Sequence, residues 1–287
     1  MTNWTHPKAQ LLQAGLAPKR HFGQNFLSDA TICSRIAEQS APDGTKTVIE
    51  IGAGLGALTA ALLKRSELVV AIERDRDLVP QLQSSFAMAI ADGKLCVAED
   101  DAKTFDYTGI FQSNAAPATL AGNLPYQLTG PLLRRAIDLS EFVTRCTFLV
   151  QLEVADRLTA KPGVDAYGAL TIFVQARFTA TRQFIVRRGA FYPQPNVDSA
   201  VVVLTPLAQP VAAETPLFRA LVKGAFAQRR KKLRNAWSGV TDLDAEGLAL
   251  AAAAANIDLD LRGEVLSVEQ YAQMTRSVEF HSERELK

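Results

Sequence analysis

Histidine is scarce in this chain: His6, His21 and His281 are the only three among 287 residues. Two of them lie near the ends, so imidazole-based catalysis has only His21 to draw on, and a histidine-rich metal site is not expected. Cysteine is equally scarce. Cys33, Cys96 and Cys146 are far apart in apolar or mixed segments, which excludes a closely spaced zinc motif and argues against a disulfide framework. No apolar run approaches the roughly 18 residues that a membrane span needs. Met1-Thr2-Asn3-Trp4 has no basic flank leading into an apolar run, so no signal peptide is expected and a cytoplasmic location is. Net charge is only +1, so a nucleic-acid partner has to be argued from local clusters.

What is present is ordinary for a globular protein, with 48% hydrophobic and 21% charged residues. At this length a single core begins to split, and one large domain (1–209) with one small domain (210–287) is expected. The Pro/Ala-rich stretch 205–216 reads as the linker.

The chain's chemistry centres on Gly122-Asn123-Leu124-Pro125-Tyr126, which follows an apolar run ending at Ala121. A carboxamide, a rigid turn and an aromatic are thereby delivered to a strand's C-terminal edge, where open α/β sheets bind ligands. Such a quartet suits a planar base, stacked on the aromatic while its exocyclic amine is hydrogen-bonded. The same four residues also read as an Asx turn before proline.

Upstream, the buried strand Thr47–Ile51 runs into Gly52-Ala53-Gly54-Leu55-Gly56, followed by a helix carrying Leu58, Ala61, Leu62 and Arg65. This unit sets backbone amides against a ligand. A second strand, 68–72, ends in Glu73, about 20 residues after the first glycine, where a carboxylate holds a ribose diol. The glycines fit both a dinucleotide pattern and an adenosylmethionine pattern. Glu50 favours the second, because a carboxylate there repels a pyrophosphate and suits an ammonium and a sulfonium. A third strand, 94–98, leads to Asp100-Asp101-Ala102. Asp101, in preference to Asp100, is placed to accept from an adenine amine, and the pair also reads as helix caps.

Three further apolar runs, 146–150, 170–174 and 200–204, complete a sheet of seven strands, mostly parallel with one antiparallel edge strand. Phe191, in Phe191-Tyr192-Pro193-Gln194-Pro195, is held out of any helix by the prolines. It reads either as a core plug or as an aromatic wall facing Tyr126. Residues 19–27 precede a helix that Ser28 or Asp29 would cap, with Ile32, Cys33, Ile36 and Ala37 on one face; they read either as the staple of that capped helix, or as a lid in which Gln24 and Asn25 meet a ligand while Lys19 and Arg20 meet phosphate. Farther on, Leu217, Phe218, Leu221, Val222, Ala225 and Phe226 share a helix face that also carries Lys223 nearby. Five of the six residues 229–234 are then basic (Arg229, Arg230, Lys231, Lys232, Arg234). Cations this close repel one another without an anionic partner, which points to nucleic acid. Ser267 and Gln270 predict a capping box for a last helix with Tyr271 and Met274 inward.

These separated motifs, Phe22–Leu27, Glu50–Gly56, Asn123–Tyr126, Phe191–Ser199 and Arg229–Asn235, together resemble the KsgA-type ribosomal RNA adenine dimethyltransferases over roughly residues 18 to 277. The resemblance implies a Rossmann-like class I methyltransferase domain with a mostly parallel seven-stranded sheet, plus a small all-helical C-terminal domain. It implies S-adenosyl-L-methionine as cofactor, and N6,N6-dimethylation of two adjacent adenosines near the 3′ end of 16S rRNA in an immature small subunit, by a monomer. Cofactor contacts are implied for Asn25, Leu27, Gly52, Glu73, Asp101 and Asn123, with Gln24, Gly54 and Ala102 added. Asn123, Leu124, Pro125, Tyr126 and Phe191 are the implied catalytic set. One departure is Gln127, where the family usually has asparagine; Thr129 keeps the hydroxyl that follows. Rival readings are a 23S rRNA adenine methyltransferase of macrolide-resistance type, a ribosome-assembly factor acting mainly by binding, and, more distantly, a Rossmann oxidoreductase.

Overall fold

The computed structural model describes residues 5–113 and 117–285. Nine strands occur among them: β1 Phe26–Leu27, β2 Thr47–Ile51, β3 Leu68–Glu73, β4 Leu95–Glu99, β5 Ala118–Asn123, β6 Val143–Gln151, β7 Phe178–Val186, β8 Phe191–Tyr192 and β9 Ser199–Pro206. Seven form one sheet in the order β4-β3-β2-β5-β6-β9-β7, and β1 pairs with β8 in a small antiparallel ribbon. From β4 across to β6 every pairing is parallel, while β9 runs antiparallel to β6. β2 is buried along its whole length, Glu50 included, as expected of a strand covered on both faces. Chain order reverses between β2 and β5, and that reversal opens a crevice beyond the strands' carboxyl ends. The loop after β2 and the end of β5 both open there.

Three expectations are corrected. The run 170–174 is not a strand but lies inside the helix Ala169–Gln175. Five residues, four of them apolar, are too few to separate the helical period from the strand period. Here the Thr171 hydroxyl accepts from Gly168 N (3.1 Å) and donates to the Arg157 carbonyl (2.7 Å), fixing the helix start. The seventh strand is β7, a mostly exposed segment containing Arg182 and Gln183. Such polarity suits the sheet's edge, which is where it lies. The antiparallel strand β9 is interior, between β6 and β7.

The chain divides into two compact units, Met1–Ala155 with Thr181–Pro206, and Asp156–Ala180 with Leu207–Lys287. Residues 156–180, expected in the first domain, therefore belong with the second. Tyr167, Ile172 and Ala176 share its core with Phe218, Leu221, Trp237 and Tyr271. Thr215 caps the helix Pro216–Ala227 through Phe218 N, with proline at the first helical position. The final helix, Val268–Glu285, opens with reciprocal bonds between Ser267 and Gln270 at 3.0 and 3.3 Å, and it buries Tyr271 and Met274. Among the described residues no helix is long and apolar enough to cross a membrane.

Candidate active site

The glycine loop takes a path open to few other residues. Gly52, Gly54 and Gly56 have φ of 73°, 58° and 83°, and a Cβ on Gly56 would lie 2.4 Å from the Phe86 ring. Beneath the loop, Glu50 is fully buried and accepts from the Thr59 hydroxyl at 2.5 Å. Burial pushes its carboxyl up to about 7, and the charge of Glu73 adds to the rise. At the end of β3, Glu73 accepts from Gly54 N (2.8 Å) and Asp75 N (2.7 Å). Burial raises this carboxyl as well, against the pull of those amides.

Glu50 makes stability fall as pH rises. Below its ordinary value near 4.5 both folded and unfolded states hold the proton. Between 4.5 and about 7 the unfolded chain loses it first, so the folded state binds more protons and is progressively disfavoured. Glu50→Gln is therefore expected to match the wild type at pH 4.5 and to be more stable by roughly 3 kcal/mol at pH 8. Denaturant melts at the two pH values check this, and parallel pH profiles would refute it.

After β4, the Asp101 carboxylate accepts from Lys103 N (3.0 Å) and faces Arg74 (3.2 Å) and Lys103 (3.4 Å). Asp100 caps the Asp101 amide at 2.6 Å, and the Ala102 carbonyl accepts from the Tyr107 hydroxyl at 2.8 Å.

On β5, a Cβ at Gly122 would fall 2.6 Å from the Ile51 carbonyl, so glycine is what lets this strand close on β2 beside the crevice. Asn123 donates through Nδ2 to the Asn25 carbonyl at 2.8 Å. That bond fixes which way the carboxamide faces and leaves Oδ1 as the outward acceptor. Leu124 N donates to the Leu149 carbonyl at 3.1 Å. Among the described residues nothing donates to the Leu124 carbonyl or to Asn123 Oδ1. The Pro125 carbonyl accepts from Leu128 N (2.9 Å) and the Thr129 hydroxyl (3.2 Å), which locks the turn. Gln127 is exposed. The Tyr126 hydroxyl meets the Ser199 hydroxyl at 2.8 Å, and burial keeps its phenol protonated. Phe191 is corrected: it is 4% exposed, packs in the core with Leu27, Cys33 and Val201, and is not part of the crevice wall. Its register opposite Leu27 in the β1–β8 ribbon turns it inward.

The segment 19–27 lies against this wall, with Gly23 beside Pro125. Lys19 pairs with Asp75 (2.5 Å) and Asp77 (2.6 Å), so its charge is engaged within the chain and is not the free phosphate contact expected of it. Gln24 accepts from Lys19 N and donates to Asp75, each at 2.7 Å, so both ends of its carboxamide are already engaged. Burial pushes Asp75 up, but hydrogen bonds from Lys19, the Asp77 amide and Gln24 outweigh it and hold this carboxyl below its ordinary range. Asp29, not Ser28, caps the helix Ala30–Ser40.

Together these elements enclose a cleft of about 1100 Å³ counted out to its open mouth. Gln24, Asn25, Leu27, Gly52, Gly54, Glu73, Asp101, Ala102 and Asn123 all line it, as do Leu124, Pro125 and Tyr126. Phe22, Arg74 and Leu78 also line it and were not anticipated from sequence. Glu50, Glu73, Asp100 and Asp101 give the walls four carboxyl groups, an acceptor-rich set that fits a ligand carrying a diol, an amine and positive charge. No cluster of three or more His, Cys, Asp or Glu suited to a metal occurs among the described residues.

In the second unit, the basic segment is an exposed turn that continues into the short helix Leu233–Ala236. The expectation of five uncompensated cations is corrected. Asp260 pairs with Lys232 (3.1 Å) and Arg234 (2.6 Å), and Glu264 lies 3.6 Å from Arg229. Arg230 and Lys231, with Lys223 nearby in sequence and Arg20 in the first unit, are exposed and have no acidic partner among the described residues.

Residues 15–279 match the family model described as Ribosomal RNA adenine dimethylase. Ribosomal RNA small subunit methyltransferase A of Anaeromyxobacter sp. (strain K) is 39% identical over 286 residues, covering 96% of this chain and 99% of that protein. Among solved structures, a dimethyladenosine transferase from Plasmodium falciparum superposes with a TM-score of 0.73 at 21% identity, over 90% of this chain and 98% of its own. The 23S rRNA methyltransferase ErmE superposes at 0.67 with 23% identity, over 89% and 100%. At these identities the two structures speak for the fold alone.

Proposed function

This chain belongs to the ribosomal RNA adenine dimethylase family, and from that premise we propose that it dimethylates the N6 amine of two adjacent adenosines near the 3′ end of 16S rRNA, using S-adenosylmethionine. The observation that carries the reading is the pair of unclaimed acceptors at the end of β5. Asn123 is clamped by the Asn25 carbonyl so that Oδ1 faces outward, and the Leu124 carbonyl next to it has no donor among the described residues.

An adenine N6 amine is a weak nucleophile because its lone pair is delocalised into the ring. Accepting its protons at Asn123 Oδ1 and the Leu124 carbonyl draws the nitrogen toward tetrahedral geometry and localises that pair. Pro125 and Thr129 hold the turn, and Tyr126, tethered to Ser199, offers its ring to a base that has left its stack. When bound, S-adenosylmethionine supplies an electrophilic methyl group on a positively charged sulfur. Glu73 and Asp101 are the residues that would hold its ribose and adenine, and Glu50 would lie near its charged end. A carboxamide cannot retain a proton at neutral pH, so the proton leaving the alkylated nitrogen passes to water. Positioning, not a strong base, then carries the rate.

In this reading the substrate is 16S rRNA in an immature small subunit, met in the cytoplasm by one copy of the chain. Arg230, Lys231, Lys223 and Arg20 are exposed cations available to meet RNA phosphates. Nucleoside mass spectrometry on unmethylated small and large subunits, incubated with the protein and S-adenosylmethionine, tests the proposal. Dimethyladenosine in small-subunit RNA is expected. Product in large-subunit RNA alone would overturn the target, and no product on either would overturn the activity.

A further inference from the structure

Asp75 is a buried carboxylate that the reaction itself does not use. It is 2% exposed, lies two residues beyond Glu73, and its side chain accepts from Lys19, Gln24 and the Asp77 amide. Its side chain receives Lys19 Nζ at 2.5 Å and Gln24 Nε2 at 2.7 Å, and its backbone amide donates to Glu73 at 2.7 Å. Asp77 also receives Lys19, but its side chain is 46% exposed, so Asp75 is the desolvated partner. A carboxylate so enclosed, with Glu73 nearby, needs a cation, and removing Lys19 would leave it unpaired.

Lys19 and Gln24 begin the segment whose next residue, Asn25, holds Asn123 Nδ2 at 2.8 Å. One continuous set of bonds therefore runs from Glu73 through Asp75, Lys19 and Gln24 to the carboxamide on β5. We propose that Asp75 is a positioning residue, latching the N-terminal segment over the cleft so that its Asn25 carbonyl sets the orientation of Asn123. This rests on the function proposed for Asn123. Asp75 itself touches no reacting atom. It acts by keeping Asn123 Oδ1 turned outward and Glu73 in place. Lys19 serves this latch and is not an RNA contact.

The test combines calorimetric titration of S-adenosylhomocysteine with single-turnover methylation of unmethylated small subunits at saturating S-adenosylmethionine. Lys19→Met and Asp75→Asn are each expected to weaken cofactor-product binding and to slow turnover by about 3- to 10-fold, with the RNA concentration dependence unchanged. Lys19→Arg, which keeps the charge, is expected to restore most of both. If Asp75→Asn fails to fold, Lys19→Met carries the test alone. In an Asn123→Ala background, Lys19→Met is expected to cause no further loss of rate, because the latch acts on rate through that carboxamide. A full multiplicative loss there would overturn the coupling. A Lys19→Met protein with unchanged binding and rate but weaker RNA dependence would make Lys19 an RNA contact and overturn the latch. A wild type that binds no S-adenosylhomocysteine and transfers no methyl would overturn the function and this inference with it, whereas an active wild type with indifferent variants overturns the inference alone.

Discussion

Asn123→Ala is expected to lower the single-turnover rate of methyl transfer by about 10²–10³ while the protein stays folded, the scale seen when one aligned hydrogen-bonding group is removed from a reacting centre. The carboxamide is half-buried at the end of β5, and its only bond among the described residues goes to a backbone carbonyl, so alanine removes little packing. What it does remove is one of the two acceptors facing the N6 amine. The Leu124 carbonyl alone cannot take both protons, and the lone pair stays in the ring. Asn123→Asp is expected to be nearly as slow. A carboxylate keeps an acceptor but loses the donor that the Asn25 carbonyl requires, and it is repelled by that carbonyl. Rates at saturating S-adenosylmethionine, with S-adenosylhomocysteine affinity measured alongside, check both variants. A rate within about threefold of the wild type with cofactor binding intact would rule out this use of Asn123; the threshold is set by the range that a single weak hydrogen bond covers.

Trp237→Ala is expected to destabilise the second unit by about 3–5 kcal/mol, the cost of a large buried aromatic cut to a methyl group. Trp237 has no exposed surface, donates through its indole N–H to the Leu221 carbonyl at 2.8 Å, and packs edge-on to Tyr271 at 6.2 Å between ring centroids. Alanine leaves a cavity and removes the indole bond, and the Ala-rich helix Ala245–Ala254 has little side-chain bulk with which to fill the space. Trp237→Phe keeps most of the volume but not the bond, and is expected to cost about 1–2 kcal/mol. Because the chain forms two compact units, the loss is expected to be local. Amide exchange should accelerate across residues 216–280 while β2, β3 and β5 remain protected. A uniform acceleration through both units, or a loss below about 1 kcal/mol, would refute this account.

The cleft was legible in the sequence to the extent that its parts are local. Strand, glycine loop and helix follow one another from Thr47 to Leu62, and Asn123–Tyr126 is contiguous, so residue type and spacing suffice to name them. Glu73 and Asp101 are readable because one ends an apolar strand and the other follows two residues after one. The helix Ala169–Gln175 reads as a strand from sequence because its apolar run is too short to display a period, and β7 gives no strand signal because an edge strand tolerates the polarity of a loop. The same limit applies to charge. The run from Arg229 to Arg234 looked uncompensated, yet Asp260 and Glu264 sit against it from more than 20 residues away.

By itself the sequence determined the α/β class, the order of the motifs and the family, since these follow from what neighbouring residues do together along the chain. Only the tertiary structure decided that Phe191 faces the core, that Lys19 is tied to Asp75 across 56 residues, and that the Asn25 carbonyl sets the face of Asn123 across 98. The reason is physical. Hydrogen bonds and ion pairs between distant segments depend on which strand ends the sheet order brings together, and a side chain's own type records only that it can make such a bond, not with what.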